Sequence, residues 1–243
     1  MPQTLQQNQT KPLPKHIAII MDGNRRWAEQ HHVPRLAGHK KGIVAAQRCV
    51  KAALDLGIEY LTLYTFSSEN WKRPVEEVDS LMGLLRHYVG TELARMADSG
   101  VRVKIIGRRD NLPADVVDIL QKTERLTKNN SKLFLTLAIN YGSHDEILEA
   151  IRSLIKEVEK GGLKPADITS DHLSRALETE GMPDPDIVIR TGGEKRLSNF
   201  LLWQSAYAEL VFMEEYWPDF DAGMLERAIR EYQARERRYG ARK

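Results

Sequence analysis

The 243-residue chain has a single cysteine, Cys49. One thiol makes neither a disulfide framework nor a CxxC metal site. Its place inside an apolar helical pattern reads as a small core residue, and a chain without disulfides suits a reducing cytosol. Nowhere does the sequence hold the roughly 18 consecutive apolar residues that a membrane-crossing helix needs. An excess of one charge is missing too: 36 Lys and Arg stand against 34 Asp and Glu, leaving +2. A dedicated nucleic-acid binder shows a clear basic excess, so nucleic acid is not an expected partner. The opening MPQTLQQNQTKPLPK has no apolar core of a signal peptide. Residues 1–15 read as a disordered tail ahead of one domain spanning 16–243. Familiar nucleotide and protease motifs are also absent. Without GxxxxGK[ST] a P-loop is excluded. Without GxGxxG after the first apolar run a Rossmann cofactor is excluded. HExxH and GxSxG do not occur.

What is present is an alternation of short apolar runs and helical patterns. Hydrophobic residues make up 42% of the chain, enough for a sizeable core. The runs 16–20, 60–66, 101–106, 133–139, 186–190 and 208–213 lack clean polar alternation, as strands buried on both faces do. Helical patterns cover about 37–56, ending at Gly57, and 75–98, ending near Gly100. Others cover about 113–128, 144–160 and 222–237, with a short one after Ser170, whose hydroxyl is placed to cap it. This order predicts one doubly wound α/β domain around a mostly parallel six-stranded sheet with right-handed crossovers. The stretches 161–170 and 178–185 read as loops.

The unusual polar residues follow the strands. HIAII runs into MDGNRRW, YLTLYTF into SSENWKR, VRVKII into GRRDN, LFLTLAI into NYGSHDE and DIVIR into TGGEKRLSN. Ligands of open parallel sheets bind beyond the carboxyl ends of the strands. Loops there are polar and glycine-rich in any protein, which accounts for the glycines but less well for so many Arg, Asn and Trp. Arg25, Arg26, Arg35, Arg73, Arg190 and Arg196 suit phosphate oxygens and stay charged at any working pH. Gly23 lets backbone N–H groups approach a phosphate. Two anionic sites are therefore expected, at 22–39 and 190–198. The carboxylates able to hold magnesium are Asp22 and Glu209, since that ion takes one or two carboxylates plus phosphates and water. Asp184 and Asp186 precede their strand and read as loop surface. The apolar arc of 76–96 fits a core helix and equally a tunnel wall.

The segments MDGNRRWA (21–28), GHKKG (38–42), FSSENWKRP (66–74), NYG (140–142) and RTGGEKRLSNFLLWQSAYAELVF (190–212) resemble the cis-prenyltransferases, the undecaprenyl diphosphate synthase family. The match runs from His16 to Gly240 in the family's order and spacing. Two positions depart from it: many relatives have Gly in place of Arg25 and of Ser143. The resemblance implies a parallel sheet with an apolar tunnel, a homodimer, and Mg2+ as cofactor. It implies condensation of isopentenyl diphosphate onto an allylic diphosphate such as farnesyl diphosphate, giving a long Z-polyprenyl diphosphate of undecaprenyl length for a cell-wall lipid carrier. Asp22 matches the essential aspartate at the metal and Asn70 a catalytic contact. Gly23, Asn24, Arg25, Arg26 and Trp27 match the allylic diphosphate loop, with Arg35, His39 and Arg73 nearby. Ser67, Ser68, Glu69 and Trp71 match the segment that closes over the reacting ends. Arg190, Arg196 and Ser198 match the isopentenyl diphosphate site, and Glu209 a further acidic contributor. Arg238-Tyr239-Gly240 matches a stretch that reaches the partner subunit. A cytoplasmic enzyme with transient membrane contact during product release is implied.

Two other readings compete. A non-catalytic subunit of the same fold would lose the aspartate and arginines, and Asp22, Arg190 and Arg196 are all present. A phosphatase-like enzyme would share the anion sites but lack a long apolar tunnel.

Overall fold

Six strands lie parallel in the order β3-β4-β2-β1-β5-β6. They are β1 His16–Ile20, β2 Tyr60–Ser67, β3 Val101–Ile106, β4 Leu133–Tyr141, β5 Ile187–Arg190 and β6 Glu209–Phe212. The computed structural model describes residues 12–235. All the pairings are parallel, which sharpens the expectation of a mostly parallel sheet. Successive side chains of a strand point to opposite faces, and here both faces are covered. Ile17, Ile19, Leu61, Leu63, Leu133, Leu135, Ile187 and Ile189 belong to one core. Their sequence neighbours Ala18, Ile20, Tyr64, Ala138 and Val188 belong to another. That double burial is why the strands read as unbroken apolar runs.

The helices are α1 Asn24–Gln30, α2 Arg35–Leu56, α3 Val75–Ser99, α4 Ala114–Thr127, α5 Ser143–Glu159, α6 Ser170–Ala176 and α7 Ala222–Ala234. Helices α2, α3, α4 and α7 pack on the first face through residues such as Cys49, Met82, Leu120 and Leu225. The second face is closed by Phe200 and Leu201 and by α5, whose buried Glu146 accepts a hydrogen bond from the Tyr141 hydroxyl at 2.6 Å. Gly57 and Gly100 end α2 and α3 as expected.

Three expectations need correcting. The helix α1 was not foreseen. The cap of α6 is Thr169, whose hydroxyl accepts from His172 N–H, while Ser170 is already helical. A short 3-10 turn at 165–167 interrupts the loop 161–170. Asp186 lies in the loop ahead of β5 as expected but is half-buried, and it accepts from the N–H groups of Lys15 and His16 at 2.7 and 3.1 Å where β1 begins.

Candidate active site

Asp22 lies just beyond the carboxyl end of β1, and its backbone is fixed from two sides. Its N–H donates to Thr191 Oγ1 at 3.0 Å, and the Thr191 hydroxyl donates back to its carbonyl at 2.7 Å. Trp217 N–H reaches the same carbonyl at 3.0 Å. The carboxylate meets two guanidinium groups through Oδ2. Arg190 Nη2, at the end of β5, donates to it at 2.9 Å, and Arg26 Nη2, one helical turn along, stands at 3.2 Å. Arg190 is buried, 4% exposed. Its other terminal nitrogen donates to the Arg196 carbonyl at 2.5 Å and to Ser198 Oγ at 2.7 Å.

The two expected anion sites are one continuous rim. Glu194, which sequence reasoning passed over, sits between Arg26 at 3.6 Å and Arg196 at 2.5 Å. Arg190 touches both the Asp22 side and the Ser198 side. Thr191 was missed as well, because its contacts cross about 170 residues of sequence.

The loop 22–26 is shaped by glycines. Gly23 has φ 108° and precedes α1, which begins without a side-chain cap. A Cβ there would stand 2.7 Å from Tyr216 Cδ1, so only glycine both adopts this backbone and clears the ring. The GHKKG motif gains its physical meaning here. A Cβ at Gly38 would lie 2.2 Å from the Asn24 carbonyl, and one at Gly42 2.2 Å from Asn24 Oδ1. One turn apart, the two glycines let α1 lie directly against α2.

Arg35, His39 and Arg73 gather as expected, around Glu77. Arg73 pairs with it at 2.9 Å and Arg35 at 4.0 Å. Burial, and then the nearby Arg73 charge, hold His39 below its usual pKa, against the opposing pull of Glu77.

The segment after β2 forms a 3-10 turn, Ser68–Lys72, with Ser67 as its cap. Asn70 Oδ1 accepts from Ser67 N–H at 3.2 Å, and the Ser67 hydroxyl accepts from Asn70 N–H. Trp71 Nε1 donates to Asn140 Oδ1 at 2.7 Å, and its ring meets Phe66 edge-on. Glu69 Oε1 accepts from Asn199 at 2.8 Å.

Arg25, of which only the backbone was expected to contribute, pairs its side chain with Glu29 at 3.8 Å. Two expected contributors are placed differently. Trp27 has its indole N–H on Asp219 at 2.8 Å and its ring stacked on His31, so it braces α1. Glu209 is level with Ile187, at the opposite end of the sheet from Arg190 and Asp22, and its carboxylate pairs with Arg235 at 2.8 Å. The expectation that Asp22 and Glu209 hold one ion together is thereby corrected within a single chain: the strand register separates them. Among the described residues there is no cluster of three or more His, Cys, Asp or Glu fit to hold a metal. The mouth offers one hard oxygen ligand, Asp22, beside guanidinium groups. That donor set suits magnesium arriving with a diphosphate, which brings most of the ligand oxygens itself.

Asn24 and His39 also border an apolar cavity of about 490 Å3 that runs between α2, α3 and the sheet. Its walls include Val50 and Leu54 of α2, Leu81, Leu85 and Tyr88 of α3, and Leu63, Leu135 and Leu137 of the strands. The arginine-bearing rim thus adjoins an apolar interior at Asn24 and His39.

The family profile described as "Putative undecaprenyl diphosphate synthase" matches residues 20–240. The chain belongs to this family. It is 52% identical over 229 residues to an isoprenyl transferase of Agrobacterium fabrum, covering 94% of this chain and 93% of that one. To isoprenyl transferase 2 of Bradyrhizobium diazoefficiens it is 51% identical, covering 93% and 90%. The solved lavandulyl diphosphate synthase of Lavandula x intermedia, in complex with dimethylallyl diphosphate, superposes with a TM-score of 0.91 at 34% identity, covering 94% of this chain and 99% of that one. A probable undecaprenyl diphosphate synthase from Campylobacter jejuni gives 0.78 at 33% identity, covering 96% and all of that chain. This chain is accordingly a prenyltransferase of the undecaprenyl diphosphate synthase family. The family implies isopentenyl and allylic diphosphates as substrates. Among the described residues, no helix of this prenyltransferase is long and apolar enough to cross a membrane. Its Arg238-Tyr239-Gly240 stretch and residues 1–11 of the expected tail lie outside the described residues.

Proposed function

We infer that the enzyme condenses isopentenyl diphosphate onto farnesyl diphosphate, with magnesium, and repeats the step to give a Z-polyprenyl diphosphate of undecaprenyl length. The observation that carries this reading is the rim-to-cavity continuity: Asn24 and His39 border both the diphosphate loop and the apolar space. A phosphatase needs the rim but has no use for the interior.

In the reaction the C1–O bond of the allylic diphosphate breaks, the isopentenyl double bond supplies the electrons of the new bond to C1, and a proton leaves C2 of the added unit. Arg26 and the N–H groups that open α1 hold the departing diphosphate. Such preorganised charge in a water-poor site is commonly the largest single term in catalysis. Asp22 would hold magnesium together with diphosphate oxygens, and the ion supplies further charge for the leaving group. Arg196 and Ser198, with Arg190 behind them, orient the isopentenyl diphosphate. Asn70 and Ser67 lie on the closing turn. An amide is far too weak a base to keep the proton, so the released diphosphate accepts it, with these two side chains as a relay. The cell-wall lipid-carrier role follows from the product class.

A homodimer belongs to the same reading. Leu148, Ile151 and Ile155, spaced for one face of α5, are 50%, 41% and 50% exposed, an apolar stripe that a second copy would cover. Product release then brings transient membrane contact.

The test is incorporation of labelled isopentenyl diphosphate with farnesyl diphosphate and magnesium. An apolar, long-chain labelled product is expected. Phosphate release without chain growth would point to a phosphatase, and no reaction at all to a non-catalytic subunit.

A further inference from the structure

Three loops from distant parts of the chain meet at Gly142. A Cβ at this position would lie 2.5 Å from Ser68 Oγ and 2.6 Å from Asn199 Nδ2. Glycine leaves the space through which Asn199 Nδ2 donates to Glu69 Oε1 at 2.8 Å. The rest of Asn199 is anchored in the other direction. Its Oδ1 accepts from His144 N–H at 2.9 Å, and its carbonyl accepts from Ser143 N–H at 2.8 Å. The amide oxygen is thus fixed on α5, and the NH2 group is aimed at Glu69.

Asn199 also sits in a strained stretch. Ser198, Asn199 and Leu201 have φ of 49°, 62° and 45°. Non-glycine residues rarely adopt this region and persist there only when their surroundings hold them. What the stretch presents is Ser198, whose Oγ accepts from Arg190 at 2.7 Å and whose carbonyl accepts from the Tyr64 hydroxyl at 3.3 Å. At the other end of the contact, Glu69 belongs to the turn that carries Asn70 and Trp71. Burial pushes the Glu69 carboxyl up, but hydrogen bonds, that from Asn199 foremost, hold it below its usual range. The contact is therefore charge-assisted, the stronger kind.

We propose that Asn199 is a positioning residue: with Glu69 it forms a clasp that couples the isopentenyl loop 190–199 to the closing segment 67–73. The proposal rests on the assignment of those two segments made under the proposed function. Coupling between binding sites is reciprocal, so each diphosphate should bind more tightly when the other is present.

The experiment uses the full-length enzyme. The dissociation constant of isopentenyl diphosphate is measured calorimetrically, with and without an unreactive thiodiphosphate analogue of farnesyl diphosphate. In the unaltered enzyme the analogue should tighten binding by about fivefold or more. Asn199→Asp keeps the acceptor for His144 N–H but turns a carboxylate towards Glu69. Glu69→Ala removes the clasp from the exposed side. Each should reduce the ratio to less than about twofold, and the double variant should add nothing further, as partners in one contact behave. Glu69→Gln keeps an acceptor and should restore most of the ratio, which a purely structural loss would not allow. An unchanged ratio in Glu69→Ala, whose exposed site leaves the fold intact, overturns the clasp. So does an active unaltered enzyme that shows no coupling. If the unaltered enzyme binds neither diphosphate, the functional assignment falls and the clasp with it.

Discussion

Arg190 donates to Asp22 across 168 positions of sequence, Nη2 to Oδ2 at 2.9 Å. With its other terminal nitrogen the same guanidinium holds Ser198 at 2.7 Å. One buried side chain therefore touches both expected anion sites, which sets Arg190 apart from Arg196. Arg190→Ala should raise the KM of both diphosphates and lower kcat. Arg196 is exposed and paired with Glu194. Arg196→Ala should raise the KM of isopentenyl diphosphate by about ten- to a hundredfold, the size of a lost charge-assisted contact. The allylic KM should stay within about twofold. Steady-state kinetics with each substrate varied in turn decides it, and equal shifts in the Arg196 variant would mean the sites are wrongly divided.

Asp22→Asn should keep the fold, because the backbone contacts to Thr191 and Trp217 do not involve the carboxylate. Turnover should fall by at least about a hundredfold, as when a group that stabilises transition-state charge is removed. EDTA should stop the unaltered enzyme, and added magnesium should restore it. Undiminished turnover in excess chelator, or near-normal turnover in the variant, would remove the metal from the mechanism.

The sheet was legible because the inner strands β1, β4 and β5 are buried almost throughout, so their positions are written in local apolar runs. The rim was legible because the unusual residues follow those runs. Helix α1 was not, since NRRWAEQ has no apolar period and its stability comes from lying on Gly38 and Gly42 of α2. Thr191, Glu194, Glu77 and Asn199 escaped for a related reason: each acts through partners brought close only by the fold. Glu209 shows the converse, where a motif residue was expected beside Asp22 but strand register sets it at the other end of the sheet.

His16 offers a test of the opposite end of the sheet, where β1 begins. It is buried, with Nδ1 donating to the Pro183 carbonyl at 2.7 Å and Nε2 accepting from the Thr62 hydroxyl at 2.8 Å. Burial lowers its pKa from 6.5 to about 4, against the raising effects of the Pro183 hydrogen bond and Asp186. The unfolded chain binds this proton more readily, so stability falls as pH drops from about 6.5 to about 4 and levels off below. The shift corresponds to on the order of 3 kcal/mol. Urea midpoints across that range should fall less steeply in His16→Asn. Parallel slopes in the two proteins would show that His16 does not carry the dependence.

Product length should follow the cavity and not the charged rim, because each added isoprene unit needs apolar volume that a close-packed wall does not yield. Leu85 of α3 lines the cavity. Leu85→Trp should shorten the product, while the rate of the first condensation holds, since the arginine rim proposed to hold both diphosphates does not line the cavity wall at Leu85. Leu133 is a control that sequence alone would have placed with it. It belongs to the close-packed core, fully buried and away from the cavity wall. Leu133→Trp should therefore cost about 1–3 kcal/mol of stability, as overpacking does, and leave the products of the surviving enzyme at full length. The measurement is chain length by thin-layer or mass analysis beside a thermal melt. A Leu85 variant that is folded, active and unaltered in product would mean that the growing chain takes another path.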